Sequence, residues 1–247
     1  VADCTMNLGA VYAQVGRYQD AVTACTAARE VFQQLGLTEK IATCTMNLGI
    51  AYQRMGRYQD AETAYTAARE VFQQLGLPER VAGCTMGLGN VDQGVGRYQD
   101  AVTAYTAARE VFQQLGLTEQ VATCTMNLGV VYQQVGRYQD AETAYTAARE
   151  VYQQLGLTEQ VADCTMNLGA VYQGMGRYQD AETAHTAARE VYQQLGLPEK
   201  VATCTVGLGN VYRAMGRYQD AATAHTAARE VYQQLGLTEQ VADCTMN

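Results

Sequence analysis

A stretch of forty residues recurs along this chain with few changes, and this period constrains the fold more than any other feature of the sequence. The copy from Val121 to Gln160 begins VATCTMNLGV, and matching text starts at Val1, Ile41, Val81, Val161, Val201 and Val241. Such a period predicts a repeat array in which each repeat buries its apolar face against its neighbours. We number the places within a repeat from 1 to 40, so that Val121 is at place 1.

The 247 residues hold six repeats and a seven-residue remainder, and both ends cut the repeat at the same phase. We therefore expect a single array over residues 1–247 that is a fragment of a longer one. The expected repeats are 1–37, 38–77, 78–117, 118–157, 158–197 and 198–237, with 238–247 as a partial seventh.

Each repeat contains two segments with the apolar spacing of amphipathic helices. In the fourth repeat they are about Glu119–Val135 and Tyr138–Leu155, with apolar residues three and four apart. Gly136 and Gly156 follow these segments, as glycines commonly follow helix ends. Place 9 is glycine in every repeat, although glycine in a helix costs about 1 kcal/mol of stability relative to alanine. This predicts a close helix–helix contact at Gly129 that leaves no room for a side chain. The sequence thus predicts an all-α solenoid of antiparallel helix pairs.

The residues at these places resemble a known family. Leu128, Gly129, Tyr132, Gly136, Tyr138, Ala141, Tyr145 and Ala148 are similar to the tetratricopeptide repeat at its defining spacings. The usual repeat of that family has 34 residues; this one is longer, and departs from it at Thr125 and Gln153. The longer second helix is similar to the repeats of the LGN/Pins polarity scaffolds. The resemblance implies a right-handed superhelix that binds a protein or peptide.

Differences between the copies concentrate at places 3, 7, 10 and 14 of the first helix, with smaller changes at places 13 and 15. At about 100° per residue the first four places form one stripe, which we call the variable strip. The tetratricopeptide resemblance implies that it lines the concave groove of the superhelix. Each full repeat carries one asparagine on the strip, and Asn247 continues the series. These asparagines are Asn7, Asn47, Asn90, Asn127, Asn167 and Asn210.

A row of side-chain amides can pair with the backbone of an extended peptide, because each amide both donates and accepts hydrogen bonds. The alternative is a set of solvated polar side chains copied by duplication. Asp3, Asp163 and Asp243, also on the strip, are expected to tune specificity. Arg54 and Arg213 are either contacts for a carboxylate of the partner or solvated charges.

Composition excludes several classes of function. With 25 acidic against 17 basic residues, nucleic acid and anionic membranes are not expected partners. No apolar run reaches the ~20 residues that span a bilayer. The chain has no serine, phosphate-binding loop, HExxH or paired CxxC, so we expect no enzyme activity, cofactor or metal.

Seven of the eight cysteines recur at place 4, from Cys4 to Cys244. Equivalent residues of packed helices lie on the order of 10 Å apart, which is too far for disulfides. These cysteines therefore predict small buried thiols in a reducing compartment, which we take to be the cytoplasm.

Repeat three departs from the pattern, because Asp92 replaces a tyrosine of the apolar stripe and Gly83, Gly87, Gly89 and Gly94 fall in one helix. The glycines predict the weakest first helix of the array. A buried unpaired carboxylate is costly, so Asp92 is expected to reach water or a partner at the groove edge. It is either a tolerated change or an acid that anchors a ligand.

His185 and His225 both stand at place 25, where other repeats have tyrosine or Cys25 on the buried stripe. We predict that both histidines are core residues, and a zinc site is the alternative.

The sequence predicts a scaffold or adaptor that binds a protein or an extended peptide. Two alternatives stay open. The chain could be the regulatory or sensor arm of a larger signalling ATPase, or a structural array that self-associates head to tail through uncapped ends.

Overall fold

The computed structural model of the protein describes residues 1–238, 240 and 241. Within this part the chain forms α-helices joined by short turns, and no strand occurs. The helices are α1 (Ala2–Gln14), α2 (Tyr18–Gln34), α3 (Thr38–Arg54), α4 (Tyr58–Gln74), α5 (Pro78–Gly94), α6 (Tyr98–Gln114), α7 (Thr118–Gln134), α8 (Tyr138–Gln154), α9 (Thr158–Gly174), α10 (Tyr178–Gln194), α11 (Pro198–Ala214) and α12 (Tyr218–Leu235). The sequence predictions for Asp243, Cys244 and Asn247 fall outside the described residues.

The all-α prediction is confirmed, with two helices in each repeat. The helices of repeat four span Thr118–Gln134 and Tyr138–Gln154, within one residue of the bounds expected from the apolar spacing. In repeats three and six the first helix begins with a proline, which is tolerated there because the first N–H groups of a helix have no partner within it.

A glycine in the left-handed conformation lies in the turn that follows each helix. Gly136 has φ of +75°, and after it the N–H of Arg137 donates to the carbonyl of Tyr132 over 2.8 Å. At the end of the second helix, Leu157 N–H donates to the Tyr152 carbonyl over 2.9 Å. These bonds satisfy carbonyls that the helix leaves free and reverse the chain within three residues. Glycines thus follow the helix ends, as the sequence predicts.

The chain divides into two compact units, Val1–Cys124 and a second that starts at Thr125. In the N-terminal unit each of the helices α1 to α6 packs on the next, and α1, α3 and α5 also touch in succession. In the C-terminal unit the same holds for α8 to α12, where α9 touches α11. The second helices α2, α4 and α10 thus each pack against first helices on both sides.

The core of these contacts is small and repeated. In the N-terminal unit Ala42, Ala68, Phe72 and Cys84 form one buried cluster drawn from three successive helices. Ala162, Ala188, Tyr192 and Cys204 form its counterpart in the C-terminal unit. The recurring cysteine therefore packs as a small apolar residue between repeats.

The place-9 glycine makes the close contact that the sequence predicts, and its neighbour is an aromatic ring. A Cβ at Gly129 would lie 2.9 Å from Cε1 of Tyr145. In repeat two the ring of Tyr65 is enclosed on both sides, since a Cβ would lie 2.9 Å from it at Gly49 and 2.6 Å from it at Gly87 of the next repeat. We call this space, filled by the side chain at place 25, the glycine slot.

Candidate functional site

A cavity of about 380 Å³ opens on the variable strip of the N-terminal unit, between α1 and α3. Its lining combines places 10, 13, 14 and 18 of repeat one with places 7, 10 and 14 of repeat two. The lining residues are Ala10, Ala13, Gln14, Tyr18, Asn47, Ile50 and Arg54. The structure thus brings two of the predicted site residues, Asn47 and Arg54, to one opening.

The residue at place 14 decides whether this space is open. In repeat three that place is Gly94, and a Cβ there would lie 2.6 Å from Cε1 of Tyr58, so the tyrosine fills the space. Gly174 and Tyr138 repeat this arrangement in the C-terminal unit. In repeat two the equivalent residue is Arg54, and a cavity remains. A variable residue of the strip therefore changes the shape of the surface from one repeat to the next.

Polar and apolar groups share the cavity wall. Ile50 is 38% exposed, so an apolar surface is open to solvent at this wall. Arg54 is exposed and forms no ion pair with any residue the structure describes. A guanidinium beside an amide and an apolar surface offers a carboxylate or a backbone carbonyl a donor at one edge of the opening.

The six asparagines differ in their surroundings. Asn7 is exposed, whereas Asn47, Asn127 and Asn167 at the same place are half-buried. Asn90, at place 10, is held internally, because its Oδ1 accepts a hydrogen bond from the Tyr105 hydroxyl over 2.7 Å.

Asn210 is the counterpart of Asn90 in repeat six, where His225 replaces the tyrosine. The Oδ1 of Asn210 is buried and has no hydrogen-bond partner in the described part of the chain. Arg213, at the margin of the strip, is exposed, and it acts with burial to lower the pKa of His225. The sequence alone could not separate these two asparagines, since the difference lies in the second helix.

Asp3 and Asp163, the acidic residues predicted on the strip that the structure describes, contact lysines of the next first helix. The Asp3 carboxylate accepts from Lys40 Nζ over 2.7 and 2.9 Å. Asp163 lies 2.6 Å from Lys200 Nζ and 2.6 Å from the Tyr192 hydroxyl. Hydrogen bonding to this carboxylate and burial raise the pKa of Tyr192 well above its usual range, burial being the larger cause.

The arginine at place 17 is an inter-repeat contact that sequence reasoning missed. The guanidinium carbon of Arg177 lies 4.3 Å from the ring centroid of Tyr172. The same side chain pairs with Asp180 over 2.7 Å and, across the repeats, with Glu142 over 2.9 Å. The available signal was the arginine that every repeat keeps at place 17, together with place 22, which is glutamate in three repeats and apolar in the other three.

Asp92 has a partner within its own repeat. Its carboxylate lies 2.6 Å from Arg97, which also reaches Glu62 of the preceding repeat over 3.0 Å. The expectation that Asp92 reaches water or a partner at the groove edge is corrected: its carboxylate pairs with Arg97 of the same repeat, and only 15% of its side chain is exposed. The ion pair takes the place of the arginine–tyrosine stacking seen in other repeats.

The two histidines are buried, as predicted. His185 is 4% exposed and lies in a glycine slot between Gly169 and Gly207. Burial lowers its pKa to about 4. Among the described residues no group of three or more histidine, cysteine, aspartate or glutamate side chains could hold a metal ion.

The place-4 cysteines of the described repeats are free thiols. Cys4 is exposed, and Cys44, Cys84, Cys124, Cys164 and Cys204 are buried, as is Cys25. Burial raises the pKa of Cys84 to about 12. A thiol with so raised a pKa is a poor nucleophile, so these residues contribute to packing.

In the described part of the chain, every helix is too short or too polar to cross a bilayer.

Comparison with known proteins agrees with this geometry. A Tetratricopeptide repeat family model matches residues 2–74, 81–154 and 161–234, and a second model of the same description matches residues 126–190. No curated protein sequence matches the chain.

Solved structures share the fold at low identity. BtubC (BKLC) from P. vanneervenii has a TM-score of 0.75 and 24% identity, over 89% of this chain and 92% of that one. NprR in complex with its cognate peptide NprX has a TM-score of 0.76 and 12% identity, over 99% and 71% of the two chains. A third structure is the signal transduction ATPase (STAND) PH0952 from Pyrococcus horikoshii, a protein with a tetratricopeptide repeat sensor. Its TM-score is 0.75 and its identity is 14%, over 98% of this chain and 38% of that one. Since the family model covers most of its length, the chain belongs to the tetratricopeptide repeat family.

Proposed function

We propose that this chain is a protein-binding repeat scaffold that takes a peptide segment of its partner along the variable strip. The observation that carries the proposal is the cavity between α1 and α3, where Asn47, Ile50 and Arg54 share one opening. An apolar surface with a few polar groups at its edge is the usual character of a binding site.

The contrast between the two helices of a repeat supports the strip as the binding surface. The second helices keep nearly the same sequence, and their buried residues fill the core between repeats. The strip varies between repeats and stays partly open to solvent. A surface that changes along the array offers a different set of groups to each part of an extended ligand, which is what selective binding requires.

The fold likeness to NprR, which was solved with its cognate peptide, is consistent with a peptide as the ligand. We extend this to the present chain as part of the proposal, because a shared fold does not fix the ligand.

A peptide selected from a displayed random library against the whole chain provides the test. We expect Asn47→Ala and Arg54→Ala each to weaken its binding, by roughly tenfold if a charge-assisted hydrogen bond is lost. Asn127→Ala combined with Asn167→Ala is expected to abolish capture while leaving thermal stability nearly unchanged.

Gln74→Ala, on an exposed position of a second helix, is the matched control and should bind like the natural chain. Equal affinity of all variants would place the peptide elsewhere and overturn the proposal.

A sensor arm of a larger signalling protein is the second candidate. It is favoured by the likeness to the STAND protein with a tetratricopeptide repeat sensor, which spans nearly the whole of this chain and about two fifths of that one. Sequencing the gene on both sides decides it, since a nucleotide-binding loop upstream is expected for a signalling ATPase and a neighbouring region without one contradicts it.

Head-to-tail self-association remains a prediction. Light scattering over a range of concentrations tests it, and a monomer at high concentration would exclude it.

A further inference from the structure

The glycine slot of repeat five differs from that of repeat two in one side chain. In repeat two, Tyr65 lies between Gly49 and Gly87. In repeat five, His185 lies between Gly169 and Gly207, where added Cβ atoms would come within 2.9 and 2.6 Å of the imidazole ring. The backbone on both sides is therefore equally close in the two slots, which differ in the ring that fills them.

The two rings differ in what their polar atoms reach. The Tyr65 hydroxyl donates to Oε1 of Gln53 over 3.0 Å. The imidazole is shorter, and within the described part of the chain neither nitrogen of His185 has a hydrogen-bond partner, although a glutamine, Gln173, stands at the equivalent place. Asn210 Oδ1, one turn beyond the glycine that closes the slot, is also buried and unpartnered. Repeat five thus holds two unsatisfied imidazole nitrogens where repeat two has a complete hydrogen bond. The counterpart of Asn210 is Asn90 of repeat three, whose Oδ1 accepts from Tyr105.

We propose that the contact between repeats five and six is an acid-sensitive element: a proton taken up by His185 loosens α10 from the first helices α9 and α11 that enclose it. A charged imidazolium in this slot would be almost fully buried and would face no hydrogen-bond acceptor among the described residues, so the closed slot disfavours it. Opening the slot exposes the ring to solvent and relieves this cost. The proposal is independent of what the strip binds.

Neighbouring carboxylates do not compensate the charge. Glu182, one turn before His185 on α10, pairs with Arg217 over 3.1 Å. Asp163 of α9 pairs with Lys200 of α11 over 2.6 Å. Each carboxylate already has a cation, and neither contributes to the pKa shift of His185, for which burial is the cause.

The remaining titratable neighbours do not favour protonation. Arg189, one turn after His185 on α10, carries the same positive sign. The Cys204 thiol of α11 stays neutral, because burial raises its pKa to about 12.

The direction of the pH effect follows from these values. The pKa of His185 is about 4 in the folded chain against 6.5 for a free histidine. The open state therefore binds the proton first as pH falls. The stability of the closed slot is complete above pH 6.5 and is lost as pH falls from there towards 4. Between pH 7 and pH 5 the equilibrium constant for opening is expected to rise roughly twentyfold from this group alone.

Hydrogen exchange of the whole chain at pH 7 and pH 5, corrected for intrinsic rates, measures the opening helix by helix. We expect protection of α10 in the natural chain to fall roughly twentyfold more between pH 7 and pH 5 than it does in His185→Tyr, because the variant lacks the titrating imidazole. This variant restores the side chain of repeat two, and the new hydroxyl is expected to reach Gln173. In the reciprocal variant, Tyr65→His, the same loss should appear in α4.

The NMR titration of the His185 ring in the natural chain gives an independent measurement that needs no variant to fold. A titration midpoint below 5 supports the proposal. A midpoint near 6.5, or equal loss of α10 protection in the natural chain and in His185→Tyr, would overturn it.

Discussion

Two glycines of helix α5 allow a test of how the repeats are packed, because they share a helix and differ in their surroundings. A Cβ at Gly89 would lie 2.9 Å from both Cδ1 and Cε1 of Tyr105, whereas at Gly83 it would meet nothing within 4 Å. The Tyr105 ring is fully buried, and its hydroxyl lies 2.7 Å from Asn90 and 2.9 Å from Gln93. The ring therefore cannot move aside without losing these contacts.

The two substitutions have opposite expected signs. Alanine is the better helix former by about 1 kcal/mol, and both sites gain this. Forcing an extra carbon into a packed core costs typically about 1–3 kcal/mol, and only the Gly89 site incurs that cost. We expect Gly83→Ala to raise the free energy of unfolding by up to about 1 kcal/mol. Gly89→Ala is expected to lower it by up to about 2 kcal/mol.

Hydrogen exchange of α5 is the appropriate assay, since a repeat array opens locally and a single global midpoint can conceal the change. Protection across α5 should increase in Gly83→Ala and decrease in Gly89→Ala. Equal protection in the two variants would refute the close packing of the place-9 glycine against the ring.

Three further predictions concern charges and thiols. Asp92→Asn removes one carboxylate partner of Arg97 and should lower Tm, by less than about 3 °C. The decrease should be smaller in 1 M salt, and an unchanged Tm at low salt would contradict the assigned ion pair. Glu182→Gln breaks the inter-repeat pair with Arg217, and its small loss of Tm should disappear in 1 M salt; a loss that persists would show that the glutamate acts through packing. At pH 8 iodoacetamide should modify Cys4 before Cys84, the latter slower by roughly a hundredfold or more, as measured by peptide mass spectrometry; equal rates would rule out the burial of Cys84.

The helices and their turns could be predicted because their signals are local. Gly136 and Gly156 stand where the chain must take a positive φ, and the apolar spacing between them specifies the helix faces. The glycine at Gly129 was also informative, since an unfavourable residue kept in every repeat requires a packing reason. The identity of its neighbour, Tyr145, could not be read from the spacing.

Contacts between repeats were harder to predict. Spacing assigns a side chain to a face but does not give its partner on the next repeat, so the pair between Glu142 and Arg177, 35 residues apart, was missed. The same limit applied to Asp163, which contacts Lys200 of the next repeat. Asp92 was missed for another reason, since its partner, Arg97, lies five residues further along its own repeat. On the strip, Asn47 lies at an open cavity while Asn90 is bonded internally, although the sequence grouped the two.

The central claim is that a partner peptide lies along the variable strip, and photo-crosslinking tests it most directly. A photoreactive amino acid is placed at Ile50, in the wall of the cavity, or at Gln74, on an exposed position of a second helix. Each variant is irradiated with the peptide selected against the natural chain. The account predicts a crosslink from position 50 and none from position 74. A crosslink from position 74 alone would contradict it.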